Sequence, residues 1–143
     1  MKTNKLDNVI ETITDKSKAY MLFGENKQDY KKLIYIIKKL TGKSFAHNAN
    51  EGAIYYNVDK LINEHTSKFI EEIENPFLST ELLIDEAVKQ GVVRLRNNYY
   101  YLAETNAPLC ETGSEPTLPN VTYYLNEPKN QEIKFIIEAK VNN

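Results

Sequence analysis

The sequence feature that most constrains this chain is a pair of asparagines between two short runs rich in β-branched and aromatic residues. The runs cover residues 92–96 and 99–103, and Asn97 and Asn98 lie between them. Asparagine tolerates the positive φ that both central positions of a type I′ turn require. The pattern therefore predicts a β-hairpin with a two-residue turn.

A two-residue turn fixes the register of the hairpin, because the residues that flank the turn must oppose each other. The predicted pairs are Val93 with Leu102, Arg94 with Tyr101, Leu95 with Tyr100, and Arg96 with Tyr99. Alternate pairs lie on opposite faces of the two strands. One face is then apolar, and the other carries Arg94, Arg96, Tyr99 and Tyr101.

Helix signals flank the hairpin on both sides. Before it, Ser79 or Thr80 caps a helix that Gly91 ends in the C′ position. After it, a loop over residues 104–119, rich in Pro, Gly, Thr and Ser, is long enough to be mobile. Thr117 then caps a short helix, and Pro128 begins the last one. The C-terminal half is therefore expected to run helix, hairpin, helix, helix, in the manner of a winged helix.

The N-terminal half mixes predicted helices with two predicted strands. Apolar spacing indicates a first helix over about 4–15 and a second helix from an Asn26 cap to Gly42. A third helix is expected from an Asn57 cap through residue 73, with His65 on its apolar stripe. The apolar runs 19–23 and 53–56 are interpreted as short strands.

Together these elements predict a small α+β protein with five to six helices. At 143 residues the chain is expected to form a single domain over 1–143, with a possible subdivision into 1–75 and 79–143. No apolar run reaches the ~18 residues of a membrane span, and no secretory signal is visible, which favours the cytoplasm. One cysteine and two histidines give no zinc spacing, so neither a metal nor a cofactor is expected.

The polar hairpin face is the first candidate site. Two arginines and two tyrosines on one strand face suit phosphate contacts and base stacking. The same face also fits the ordinary solvated side of a hairpin, or an anchor for a protein partner, since tyrosine and arginine are enriched at interaction hot spots.

A basic helix face is the second candidate. Steps of 100° per residue bring four lysines into one arc with Tyr35 at its centre. Such a face suits a phosphate backbone, and equally suits the solvated side of an amphipathic helix. The four lysines are Lys31, Lys32, Lys38 and Lys39.

An enzyme is the least supported alternative. No P-loop, GxGxxG, GxSxG or HExxH pattern occurs in the sequence. An active site would have to combine His47 or His65 with the acids of residues 51–74. Cys110 has no neighbouring base in the sequence and is interpreted as an ordinary thiol.

Four segments resemble the C-terminal domain of RecA-type recombinases. They are residues 81–93, 99–102, 124–126 and 130–134, within a stretch of about 60 of the 143 residues. The family places a helix, a hairpin with a tyrosine-rich second strand, and two closing helices in this order. The resemblance implies a module that helps to engage double-stranded DNA, without the recombinase's ATPase core. The lysine-rich, tryptophan-free composition is similar to that of small proteins of AT-rich bacteria and their phages.

The leading hypothesis is a non-enzymatic accessory protein that binds DNA or RNA through the hairpin face, assisted by the basic helix. The alternative is a protein-interaction module, such as a phage structural component or an inhibitor of a host protein. The net charge of −2 gives no attraction of the whole chain to nucleic acid. Any anion-binding surface must therefore be local.

Overall fold

The computed structural model of the protein describes residues 5–45 and 49–142. Its elements form two compact units, Met1–Asn75 and Pro76–Asn143. In the described ranges the first unit is helical, and the second combines helices with a two-stranded antiparallel sheet. The α+β class is confirmed. Among the helices of these ranges, none combines the length and the apolar character that a membrane span needs.

The described part of the first unit consists of four helices, α1 (Lys5–Glu25), α2 (Tyr30–Thr41), α3 (Glu51–Glu64) and α4 (Thr66–Ile73). Their shared core is aliphatic apart from one aromatic ring. Its fully or almost fully buried side chains are Ala19, Leu33, Ile36, Ile37, Ile54, Val58, Leu61, Ile62, Phe69 and Ile73.

The second unit follows the predicted order of helix, hairpin, helix, helix. It contains α5 (Leu78–Lys89), β1 (Val93–Arg96), β2 (Tyr99–Leu102), α6 (Leu118–Asn126) and α7 (Gln131–Val141), with a 3-10 turn at Pro128–Asn130 before α7. Its core is formed by Ile84, Ala87, Val93, Leu109, Val121, Leu125 and Ile137.

Both predicted strands of the N-terminal half are wrong, because each apolar run belongs to a helix. Residues 19–23 lie in α1, where Ala19 is fully buried while Met21 is 56% exposed. Residues 53–56 lie in α3, where Ile54 is buried and Tyr56 is 67% exposed. Burial at every third or fourth position is the helical period, and a short apolar run alone does not separate it from a strand.

Several predicted caps are also displaced. Asp29, not Asn26, caps α2, where its side chain accepts a hydrogen bond from the Lys32 backbone nitrogen. Asn50, not Asn57, caps α3 through the Ala53 nitrogen at 2.8 Å. Gly42 ends α2 with φ of +78°, as predicted.

The predicted helix over 57–73 is two helices. His65 is the residue between α3 and α4, with φ of −140°, and its side chain is exposed instead of lying on an apolar stripe. The break turns the chain so that Phe69 on α4 and Ile62 on α3 are both fully buried.

In the second unit, α5 begins at Leu78, so Ser79 and Thr80 lie inside it and neither caps it. Thr80 is buried, and its hydroxyl donates to the Asn126 side-chain oxygen at 2.9 Å. This hydrogen bond joins α5 to α6. Gly91 follows α5 with φ of +76°, and Thr117 lies at the N-cap position of α6, both as predicted, although the Thr117 side chain makes no capping hydrogen bond.

Candidate functional site

The β-hairpin has the register that its turn predicts. Asn97 and Asn98 have φ of +52° and +66°, the left-handed conformation at both central positions. The four predicted cross-strand pairs are all observed. Val93 is 1% exposed in the core of the unit, and Tyr100 and Leu102 pack against that core. The opposite face carries Arg94, Arg96, Tyr99 and Tyr101, defined here as the hairpin face.

Arg96 is held in place on the hairpin face by two contacts. Its guanidinium lies 5.2 Å from the centroid of the Tyr101 ring. It also donates a hydrogen bond to the Asn106 side-chain oxygen at 2.7 Å. Both contacts leave the positive charge unneutralised, because neither an aromatic ring nor an amide carries a negative charge.

Tyr99 is oriented by Glu115 from the loop that follows the hairpin. A hydrogen bond between their side chains raises the pKa of the Tyr99 hydroxyl, and burial raises it further. Arg94 is exposed at the centre of β1. The hairpin face thus combines one exposed cation, one stacked cation and one anchored phenol.

The loop over residues 104–119 is ordered against β2, contrary to the mobility expected from its composition. The Leu102 nitrogen donates to the Ala107 oxygen at 2.8 Å, the Leu109 nitrogen to the Tyr100 oxygen at 3.1 Å, and the Tyr100 nitrogen to the Pro116 oxygen at 2.9 Å. Leu109 is 2% exposed. The loop therefore covers one edge of the hairpin, and these backbone bonds explain why it is fixed.

In the second unit, three lysines form ion pairs with carboxylates, whereas the two arginines form none with a described residue. Lys89 pairs with Asp85 at 3.0 Å, Lys129 with Glu111 at 2.9 Å, and Lys140 with Glu104. Lys134 donates to the amide oxygen of Asn126. Among the residues that the structure describes, no carboxylate pairs with Arg94 or Arg96. The uncompensated positive charge of the hairpin is therefore concentrated on its polar face.

The basic helix face lies on α2, in the first unit. Lys31, Lys38 and Lys39 are exposed, whereas Lys32 and Tyr35 are half-buried, opposite the buried Leu33, Ile36 and Ile37. Lys39 forms an ion pair with Glu72 of α4 at 2.8 Å, and the Lys32 ammonium donates to the Asn26 side-chain oxygen. Part of this lysine set is thus engaged within its own unit.

Of the two histidines considered for an enzyme, only His65 lies within the described residues, and it is exposed. His65 lines two open surface depressions. The first has a volume of about 350 Å³, and its lining includes Asp15 and Glu64. The second has a volume of about 300 Å³, and its lining includes Lys60 and Glu64. His47 lies outside the described residues. In residues 5–45 and 49–142, no three His, Cys, Asp or Glu side chains are grouped to hold a metal ion.

Cys110 is buried, and burial raises the pKa of its thiol. Its sulfur lies 3.2 Å from the Ser114 carbonyl oxygen. Since the thiolate is the reactive form, this environment agrees with an ordinary thiol.

Sequence reasoning missed Asn106 and Glu115, the two loop residues that position the hairpin face. No periodicity or motif marks either residue, since their partners are set by the path of the loop. Comparison with protein-family models, curated proteins and solved structures found no match to this chain. The resemblance to the recombinase C-terminal domain stays a prediction.

Proposed function

We propose that the chain binds nucleic acid through the hairpin face, as a winged-helix-like accessory protein without enzymatic activity. The observation that carries the proposal is the pairing of charges in the second unit. Three lysines are paired with carboxylates, while Arg94 and Arg96 are not paired with any described carboxylate. Two cations free to meet an anion therefore lie together on one strand.

Arginine is suited to this contact. A guanidinium binds phosphate oxygens through two parallel hydrogen bonds, stacks on rings, and is less strongly hydrated than an ammonium. Stacking on Tyr101 and the hydrogen bond to Asn106 hold Arg96 in one place. Less side-chain entropy is then lost when Arg96 meets a phosphate.

The tyrosines provide the contact to bases. Tyr99 and Tyr101 are two residues apart on β2, so they point to the same face about 7 Å apart. Aromatic rings on a strand face stack with bases without demanding a particular sequence. The proposal is therefore for binding with little sequence preference, with Lys31 of α2 as a further phosphate contact.

Protein binding is the second candidate, and one observation favours it. Phe135 and Ile136 on α7 are 70% and 41% exposed, and Tyr123 on α6 is 60% exposed. Residues 80–143 also hold nine acidic against six basic side chains. A partner protein that presents apolar and basic groups fits this composition.

Fluorescence anisotropy tests the proposal. The full chain is titrated into labelled single- and double-stranded DNA and RNA of about 30 nucleotides, over a series of salt concentrations. We expect binding that weakens as salt rises, because phosphate contacts release counterions. The double variant Arg94→Ala/Arg96→Ala is expected to bind about tenfold more weakly, with the salt slope reduced by about 2 in magnitude.

The matched control is Lys60→Ala/Lys68→Ala, which removes the same charge from exposed positions of the first unit. It should retain nearly wild-type affinity and salt slope. Absence of binding below millimolar concentration on every nucleic acid contradicts the proposal and favours protein binding. Equal losses in the two double variants also contradict it, because the effect then comes from net charge alone.

A further inference from the structure

The N-terminal half of α1 extends beyond the core of its unit. Every side chain from Val9 to Asp15 is exposed, and so is Leu6. Further along the same helix Ala19 is fully buried, and Leu22 and Phe23 are half-buried. Among the described residues, the buried and half-buried apolar side chains of α1 therefore lie in its C-terminal half.

This projecting half carries a continuous apolar stripe. Leu6, Val9, Ile10 and Ile13 recur at the spacing of one helix face and are 67%, 49%, 55% and 61% exposed. Together they present on the order of 400 Å² of apolar surface, as much as the largest patch on a typical monomer. A helix half this short is marginal in water without packing. We call these four residues the α1 stripe.

We infer that the α1 stripe pairs with the α1 stripe of a second copy of this chain, in antiparallel orientation. The spacing is symmetric about the midpoint between Val9 and Ile10. A twofold axis at that midpoint brings Leu6 against Ile13 of the second copy and Val9 against its Ile10. One surface then serves both copies, as an isologous dimer requires.

The area agrees with a reversible dimer. Two stripes bury about 800 Å² of apolar surface, which at an apolar share near 60% corresponds to roughly 1,300 Å² of total interface. That value lies at the lower end of the standard interface size of ~1,200–2,000 Å². We therefore expect a dimer that forms and dissociates with protein concentration.

The charges along the helix favour a protein partner over a lipid surface. Residues 5–15 contain three acids and one lysine, whereas helices that lie on anionic membranes carry lysine and arginine on their polar face.

Sedimentation equilibrium of the full chain tests the inference. Between about 5 and 500 μM the mass should rise from the 16.5 kDa of one chain toward twice that value. Ile10→Asp should remain monomeric over this range, with the helical content of the core retained by circular dichroism. Met21→Asp, at an equally exposed apolar position in the C-terminal half of the same helix (56% against 55% for Ile10), is the matched control and should dimerise like the wild type.

Disulfide trapping tests the orientation, in a Cys110→Ser background. A cysteine at position 9 lies beside the twofold axis and should cross-link the two copies, whereas a cysteine at position 6 should not. A chain that stays monomeric at every concentration overturns the inference, as does dimerisation unchanged by Ile10→Asp. Efficient cross-linking at position 6, with or without cross-linking at position 9, overturns the antiparallel arrangement. Binding of the monomer to phosphatidylglycerol vesicles, lost in Ile10→Asp, identifies a membrane as the occupant instead.

Discussion

The hydrogen bond between Tyr99 and Glu115 makes the stability of the folded chain depend on pH. The hydrogen bond to Glu115, followed by burial, raises the pKa of Tyr99 in the folded chain above 10.0, the ordinary value for tyrosine. A folded-state pKa above the unfolded value contributes stability that is fully present below the unfolded pKa. This contribution is lost as pH rises through the folded pKa, so it acts throughout the neutral range and disappears only under alkaline conditions.

Glu115→Gln is predicted to lower the pKa of Tyr99 toward 10, because the amide removes the negative charge that disfavours the phenolate. The measurement is a pH titration of the Tyr99 ring carbon by NMR in tyrosine-labelled protein. Tyr100, whose pKa is raised chiefly by burial, serves as the internal control and should not change. An unchanged Tyr99 titration in the variant contradicts the assigned cause.

At the scale of elements, the hairpin turn is the part of the second unit with the most specific sequence requirement. Asn98 has φ of +66°, a conformation that costs L-residues about 1–2 kcal/mol and β-branched residues more. Asn98→Val should therefore destabilise the chain by roughly 1–2 kcal/mol, whereas Asn98→Gly should change stability by only a few tenths. Urea unfolding measures both. Equal stability of the valine and glycine variants would falsify the turn assignment.

The elements also show what could be predicted from sequence. The hairpin was predicted down to each residue pair because a two-residue turn is a local signal that fixes distant partners. The strands expected at 19–23 and 53–56 were wrong because a short apolar run has no period of its own. The ordered path of residues 104–116 could not be predicted, because backbone hydrogen bonds to β2 fix it and no local sequence pattern marks them. The contacts of Asn106 and Glu115 depend on that path.

At the scale of the whole molecule, positive charge is concentrated in the N-terminal third of the sequence. Residues 1–50 hold ten lysines against five acids, although the net charge of the chain is only −2. Lys39 is neutralised by Glu72 within the first unit, and three lysines of the second unit are likewise paired. These lysines are thus engaged within their own units, whereas Arg94 and Arg96 form no ion pair with a described carboxylate and are the proposed contact for an anion.

The most direct test of this account is an NMR titration of the nitrogen-15-labelled chain with a short oligonucleotide at low salt. We predict that the largest amide and side-chain shifts fall on Arg94, Arg96, Tyr99 and Tyr101, with smaller shifts in the loop around Asn106 and Glu115. The same titration of Arg94→Ala/Arg96→Ala should require several times more oligonucleotide to reach half-saturation. Shifts that are missing, or that concentrate on α7 around Phe135 while the hairpin face is unchanged, would contradict the account.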